Sequence, residues 1–114
     1  QLHVVELDGG IVATFTLSPR QIGFYRKGWF ANPGDAALYL TNMAVRPEVQ
    51  RRGIGRWIMG QIEDLARGSG CGAVRFDAYD ADAGAGEFYQ KCGYACVHRG
   101  SIGGTALQFY ERTL

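Results

Sequence analysis

Lysine, cysteine and long apolar runs are scarce in this chain of 114 residues. It has only two lysines among its 12 basic residues, three cysteines, and a net charge of +1. The longest stretches without a charge are eleven residues, such as Gly9–Pro19, and none approaches the roughly 18 apolar residues that cross a bilayer. No N-terminal apolar block resembles a signal peptide. We therefore expect no membrane partner, and the charge balance argues against general nucleic-acid binding.

The three cysteines match no disulfide scaffold, since their number is odd and their spacing irregular. Cys71, Cys92 and Cys96 could be combined with His98 into a four-ligand zinc site, but the chain has no Cys-x-x-Cys pair to nucleate one. We expect buried, unreactive thiols, no metal, and a reducing location such as the cytoplasm.

The composition is typical of a globular domain. Apolar residues make up 46% of the chain and charged residues 20%, which is enough apolar surface to offset the entropy of ordering a small core. The length corresponds to a single domain over residues 1–114. Because the chain starts at Gln1 rather than Met, we expect this domain to be incomplete at its N-terminus.

Hydrophobic periodicity predicts the order β-β-β-α-β-α-β-β, and hence an α/β fold with one mixed sheet. The predicted elements are a hairpin of His3–Leu7 and Ile11–Leu17, a loop over Ser18–Asp35, a buried strand Ala36–Val45, a helix Gly53–Arg67, a strand Ala73–Tyr79, a short helix Gly86–Cys92, and strands Tyr94–Arg99 and Ala106–Thr113.

The helix Gly53–Arg67 has an amphipathic pattern. The predicted buried stripe consists of Ile54, Trp57, Ile58, Ile62, Leu65 and Ala66. The residues predicted to lie outside it are Arg56, Gln61, Glu63, Asp64 and Arg67.

The segment between the buried strand and this helix has the features of an anion site. Helix N-termini present unpaired N–H groups and partial positive charge, and Gly53 and Gly55 allow the backbone to close around a phosphate or pyrophosphate. No lysine follows, as a P-loop would require, and the third glycine of a dinucleotide motif is missing. The alternative is a helix that begins with glycines beside solvated arginines. The basic side chains nearby are Arg46, Arg51, Arg52 and Arg56.

Two motifs carry a family resemblance. Gln50-Arg51-Arg52-Gly53-Ile54-Gly55 resembles the Gln/Arg-x-x-Gly-x-Gly/Ala signature of the GNAT superfamily of N-acetyltransferases, and Phe88–Tyr94 resembles the family's Phe-Tyr-x-Lys-x-Gly-Phe segment. The resemblance runs from about Val4 to Tyr110. It implies a mixed, mostly antiparallel central sheet flanked by helices, here lacking the family's usual N-terminal strand and two helices.

The resemblance also implies an activity. Acetyl-coenzyme A would donate an acetyl group to a primary amine, on a small molecule or a peptide, by direct attack in a ternary complex. The coenzyme would enter between strands that separate at Met43–Val45 and Tyr79. Tyr89 would be the general acid that protonates the departing thiolate. Asp82 replaces an Asn that the family often has, and it would contact either the coenzyme arm or the acceptor. The implied coenzyme-binding residues are Met43, Ala44, Val45, Gln50, Arg51, Arg52, Gly53, Ile54, Gly55, Arg56, Asp82 and Tyr89.

Several alternatives stay open at this point. Asp77, Asp80 and Asp82 are candidates for the general base, and each could instead be a solvated residue at a strand end. Tyr89 could be a packed aromatic with a hydrogen-bonded hydroxyl. A rival function is a non-catalytic acyl-coenzyme A-binding or protein-interaction module, and a homodimer could complete an open acceptor side. The loop aromatics that could either line the acceptor pocket or pin the loop to the core are Phe24, Tyr25, Trp29 and Phe30.

Overall fold

The computed structural model describes residues 1–21, 23–31, 36–47, 53–79 and 86–114, and these form six strands and two α-helices. Their order matches the predicted one. The elements are β1 (Leu2–Leu7), β2 (Gly10–Ser18), a short 3-10 helix (Lys27–Trp29), β3 (Ala37–Val45), α1 (Ile54–Gly68), β4 (Ala73–Tyr79), α2 (Gly86–Lys91), β5 (Ala95–Ile102) and β6 (Thr105–Thr113).

All six strands belong to one sheet in the order β1-β2-β3-β4-β6-β5. Every pairing is antiparallel except the parallel one between β3 and β4, across which α1 makes the connection that parallel strands require. The mixed, mostly antiparallel sheet is therefore confirmed. No helix in the described ranges is long and apolar enough to cross a bilayer.

The two faces of the sheet are covered by different parts of the chain. On one face α1 packs its apolar residues against β2, β3 and β4, and we call this the helix-side cluster. On the other face the loop after β2 covers β3, β4 and β6, and we call this the loop-side cluster. Tyr25 and Phe30 of that loop are each only 4% exposed, whereas Phe24 is 41% exposed. Most of the loop aromatics thus pin the loop to the core.

The loop-side cluster contains a buried ion pair. Arg75 of β4 is 1% exposed, and its Nε donates to Glu111 Oε2 at 2.8 Å. Arg75 also donates to the Tyr39 hydroxyl at 2.8 Å, and its guanidinium lies 4.3 Å from the Phe30 ring centroid. The backbone N–H of Ala31 donates to the other Glu111 oxygen at 3.0 Å. These bonds satisfy both charges and fasten the loop to the sheet.

The predicted stripe of α1 was partly wrong. Trp57 and Leu65 are 54% and 43% exposed, whereas Met59 is 1% exposed. Glu63, predicted to lie outside the stripe, is 7% exposed. The partners of the Glu63 carboxylate are the Tyr94 hydroxyl, just before β5, and the Arg112 guanidinium on β6. The buried side of the helix is therefore rotated toward Met59 and Glu63, and Trp57 and Leu65 lie at its margin. The buried residues are Ile58, Met59, Ile62, Glu63 and Ala66.

Candidate active site

The two central strands separate part-way along their length. Parallel pairing of β3 with β4 covers three positions, which end at Tyr39 opposite Arg75. Beyond this point β3 continues to pair with β2 as far as Val45, and β4 continues to pair with β6 as far as Tyr79. The sheet therefore opens into a cleft between the C-terminal halves of β3 and β4, which we call the fork.

A β-bulge marks the β3 arm of the fork. The register with β2 shifts between Thr14 and Thr16, so that Phe15 lies opposite the two residues Asn42 and Met43. Asn42 has φ of 53°, a left-handed conformation that asparagine tolerates better than most residues. Bulges of this kind twist a strand and redirect its backbone, and they occur often beside active sites. No sequence signal had predicted this bulge.

Helix α1 begins beside the fork without a side-chain cap. Gly53 is at the N-cap position with φ of 77°, and the first turn contains no acidic residue. The first helical hydrogen bond is from the Trp57 N–H to the Gly53 carbonyl at 3.1 Å. The N–H groups of Ile54, Gly55 and Arg56 precede that donor and therefore have no partner within the helix. The positive end of the helix dipole lies at these groups. A non-glycine residue at position 53 would be strained.

Gly55 allows α2 to approach the start of α1. A Cβ atom at this position would lie 3.2 Å from Cζ of Phe88 on α2. That distance is shorter than normal carbon–carbon contacts, so any side chain at position 55 would push Phe88 away. The two glycines are therefore needed for different reasons. Gly53 allows the left-handed backbone conformation at the N-cap, and Gly55 allows the close contact between α1 and α2.

Tyr89 lies next to Phe88 and packs on the helix-side cluster. Its ring centroid is 4.6 Å from that of Phe76 and 5.2 Å from that of Tyr110. The ring is packed, as the alternative to a general acid also requires, and its hydroxyl makes no hydrogen bond to any residue that the structure describes. Burial raises the pKa of Tyr89, and the nearby Tyr110 and Cys92 raise it further. The phenol is therefore protonated at neutral pH and able to donate a proton.

Asp77 occupies the opposite face of the sheet, on the β4 arm of the fork. It is half-buried, and its Oδ2 accepts a hydrogen bond from the Tyr25 hydroxyl at 2.8 Å. Burial, followed by the negative charge of Asp77, raises the pKa of Tyr25. Tyr25 thus remains the donor, and Asp77 the acceptor. This pair could not be predicted from local sequence patterns, because the two residues are 52 positions apart.

Some of the predicted site residues lie outside the described part of the chain. Of the four arginines near the helix start, Arg46 donates from Nε to the Ile11 carbonyl at 2.7 Å. Arg56 is exposed on the first turn of α1, where it lines a small open cavity with Cys92 and Arg112. The predicted residues that lie outside the described ranges are Gln50, Arg51, Arg52, Asp80 and Asp82.

The cysteines do not form a cluster. Cys71 and Cys92 are buried, Cys96 is half-buried, and all three are free thiols. Burial raises the pKa of Cys92, which keeps it in the unreactive thiol form. In the described ranges no three His, Cys, Asp or Glu side chains are placed to hold a metal ion.

The chain matches one family model over most of its length. Residues 1–96 match the model described as an acetyltransferase (GNAT) domain. The chain belongs to the GNAT family of acetyltransferases. No curated protein matches this GNAT chain significantly.

Solved structures share its fold. A GNAT acetyltransferase from Listeria monocytogenes 4b F2365 aligns over 99% of the chain with a TM-score of 0.75 and 16% identity. An acetyltransferase from Bacillus cereus ATCC 14579 aligns over 100% of the chain with a TM-score of 0.72 and 25% identity, and the chain covers 72% of that protein. A ribosomal-protein-alanine N-acetyltransferase from Brucella melitensis aligns over 99% of the chain with a TM-score of 0.72 and 18% identity, and the chain covers 68% of that protein. The chain spans 64% of the Listeria protein.

Proposed function

We propose that this GNAT chain transfers an acetyl group from acetyl-coenzyme A to a primary amine, by direct attack in a ternary complex. The observation that carries the proposal is the fork beside the uncapped start of α1. Such a helix start binds pyrophosphate, and an open strand edge can accept an extended ligand as an additional strand. The family membership and the N-acetyltransferase named among its structural neighbours support the same reaction.

Residues around the helix start and on the β3 arm would hold the co-substrate. The backbone N–H groups of Gly53, Ile54, Gly55 and Arg56 would hold the pyrophosphate, together with Gln50, Arg51 and Arg52. The β3 arm at Met43, Ala44 and Val45 would run alongside the pantetheine arm. Asp82 remains a proposed contact of that arm or of the acceptor. Acetyl-coenzyme A would supply an electrophilic thioester carbonyl and a thiolate leaving group.

The chain's own groups would assist each part of the transfer. An N–H of the β3 arm would donate to the thioester oxygen as negative charge develops there. The neutral amine nitrogen would bond to the carbonyl carbon as the carbon–sulfur bond breaks. Tyr89 would give its proton to the sulfur and would recover one from the new amide nitrogen. The other proton of the starting ammonium would go to a base or to water, which balances the reaction.

The test of Tyr89 is its replacement by phenylalanine. We expect Tyr89→Phe to lower kcat by about 100-fold, within the range for loss of a general acid, with little change in the KM for acetyl-coenzyme A. The measurement is thiol release with a panel of amines. Stability should be nearly unchanged, because no described residue depends on that hydroxyl.

Tyr110→Phe is the matched control. Tyr110 is 1% exposed and its hydroxyl donates to Gln108 Oε1, so the substitution removes the same atom from the neighbouring ring without touching a reactant. Its kcat should stay near that of the unmodified chain. Equal losses in both variants would contradict the assigned role of Tyr89. Coenzyme A binding without transfer to any amine would instead favour a non-catalytic acyl-coenzyme A-binding module.

The proposal places the protein in a reducing compartment such as the cytoplasm. Its support is that all three thiols are free, since disulfides form mainly in oxidising compartments.

A further inference from the structure

The fork has two chemically different faces. Phe76 of β4 belongs to the helix-side cluster together with Tyr89 and the start of α1. The side chains of β4 alternate between the faces, and Asp77 meets Tyr25 of the loop-side cluster. If the coenzyme occupies the helix side, as the proposed function requires, the acceptor would approach the thioester from the loop side, where Asp77 is half-buried.

Asp77 is the first loop-side residue of β4 beyond the end of the β3–β4 ladder. The last paired position is Tyr39 opposite Arg75, and Asp77 follows two residues later. Its carboxylate is therefore at the point where the strands begin to separate. The Tyr25 hydroxyl uses one lone pair of Oδ2, and a carboxylate can accept several further hydrogen bonds. Tyr25 holds the carboxylate in place and leaves it able to accept another donor.

The one hydrogen bond described at the Asp77 carboxylate comes from a neutral group, the Tyr25 hydroxyl. Arg75, the nearest cation along β4, is ion-paired with Glu111. In the part of the chain that the structure describes, Asp77 takes part in no ion pair. A half-buried carboxylate with one neutral donor attracts a cation and repels a second carboxylate.

Apolar surface adjoins this carboxylate. Phe24 is 41% exposed, and its ring centroid lies 5.1 Å from that of Tyr25 and 6.3 Å from that of Phe109. Phe109 is the β6 residue opposite Asp77. Tyr79, on the same face two residues further along β4, is 74% exposed. Aromatic rings beside a carboxylate suit an ammonium group that carries an apolar body.

We propose that Asp77 binds the ammonium group of the acceptor, and that the acceptor is a primary amine with an aryl or alkyl body and no carboxylate on the amine-bearing carbon. This inference rests on the proposed acetyl transfer. Asp77 takes one proton from the bound ammonium and releases it to solvent, and the neutral nitrogen then forms the bond to the acetyl carbon. Tyr25 is a positioning residue that acts through Asp77.

The test compares two acceptors with the same body. 2-Phenylethylamine and phenylalanine differ only by the α-carboxylate, so their ratio of kcat/KM measures discrimination against that group. We expect the amine to be preferred by at least about tenfold, the size of one charged hydrogen bond gained or lost. Asp77→Asn should raise the KM for 2-phenylethylamine by about tenfold and reduce the preference. A purely structural role of Asp77 would not change the ratio of the two acceptors.

Asp64→Asn is the charge-matched control. The Asp64 side chain is 71% exposed on α1, so this variant changes the net charge equally and should leave both acceptors unaffected. If Asp77→Asn fails to fold, the preference of the unmodified chain is decisive. Equal or better use of phenylalanine overturns the inference.

The remaining outcomes separate this inference from the proposed function. Acetylation of other amines but neither of these two would overturn the acceptor class and leave the transferase function standing. An unchanged acceptor ratio in Asp77→Asn would overturn the role of Asp77 alone. Transfer to no amine at all would overturn both.

Discussion

Glu63 is a charged residue held in the core by partners from distant parts of the chain. Its Oε1 accepts a hydrogen bond from Arg112 Nη1 at 2.9 Å, and its Oε2 accepts one from the Tyr94 hydroxyl at 3.0 Å. Arg112 also donates to the Cys92 carbonyl at 2.8 Å. One cation therefore joins α1, the end of α2 and β6. A buried carboxylate without partners would destabilise the folded state, and the hydrogen bonds from Arg112 and Tyr94 offset that cost for Glu63.

We expect Arg112→Met to lower the free energy of unfolding by about 3 kcal/mol, because it leaves the Glu63 carboxylate buried without a cation. The measurement is urea unfolding. Arg67→Met is the control, since Arg67 and Asp64 form an exposed pair at 3.4 Å, and its loss should cost less than about 0.5 kcal/mol. Adding Glu63→Gln to Arg112→Met should restore part of the loss. Equal costs for the two arginine variants would refute this interpretation.

The burial of Glu63 could not be predicted from the sequence. Helical periodicity identified an amphipathic helix, but it assigned Glu63 to the solvent side because residue type was the only guide. The partner that reverses this assignment is 49 residues away. Trp57 and Leu65 were misassigned for the related reason that periodicity cannot place the edge of a stripe to within one residue.

At the scale of elements, the contact between α1 and α2 depends on a missing side chain. Gly55 is in a helix, where alanine would be favoured by about 1 kcal/mol. The Phe88 ring 3.2 Å from its Cβ position opposes that gain. Phe88 adjoins Tyr89 in the same short helix, so the contact also affects the placement of the proposed general acid.

We expect Gly55→Ala to be neutral or destabilising in the unmodified chain, but to stabilise a Phe88→Ala background by about 1 kcal/mol. Thermal unfolding of the four proteins in this double-mutant cycle measures the coupling. The same effect of Gly55→Ala in both backgrounds would show that the ring does not oppose the substitution. Gly60, which has no atom within 4 Å of its Cβ position, is the control glycine in α1.

Strands and helices were predictable where the pattern is local. The hairpin of β1 and β2, the helix α1 and the strand Ala73–Tyr79 all appear as expected. The family resemblance implied that the strands separate at Met43–Val45 and Tyr79, but nothing in Ala37–Val45 itself shows where pairing with β4 stops. The fork results from the divergence of two strands that the sequence separates by a helix.

At the scale of the whole molecule, two buried tyrosines make the free energy of unfolding depend on pH in the alkaline range. Burial is the largest cause of the raised pKa of both Tyr25 and Tyr94, followed by the charges of Asp77 and Glu63 respectively. Both phenols ionise near pH 10 in the unfolded chain. Above that pH these two phenols stay protonated in the folded state but lose their protons in the unfolded state. Folding stability is therefore fully present below about pH 10 and decreases as the pH rises.

We expect the free energy of unfolding to fall above pH 10 by about 1.4 kcal/mol per pH unit for each of these tyrosines. Urea unfolding between pH 8 and about 11 measures the slope. Tyr94→Phe should reduce the slope by one tyrosine's share, even though it also removes the bond to Glu63. A slope that is unchanged by Tyr94→Phe would show that this phenol ionises equally in both states.

The proposed function depends on where coenzyme A binds. The most direct measurement is a titration of the isotopically labelled chain with coenzyme A, followed through its backbone amide resonances. We predict the largest shifts at Gly53–Arg56 and on the β3 arm at Met43–Val45, with small ones at the turn between β5 and β6. The absence of binding, or shifts concentrated away from the start of α1 and the fork, would contradict the account.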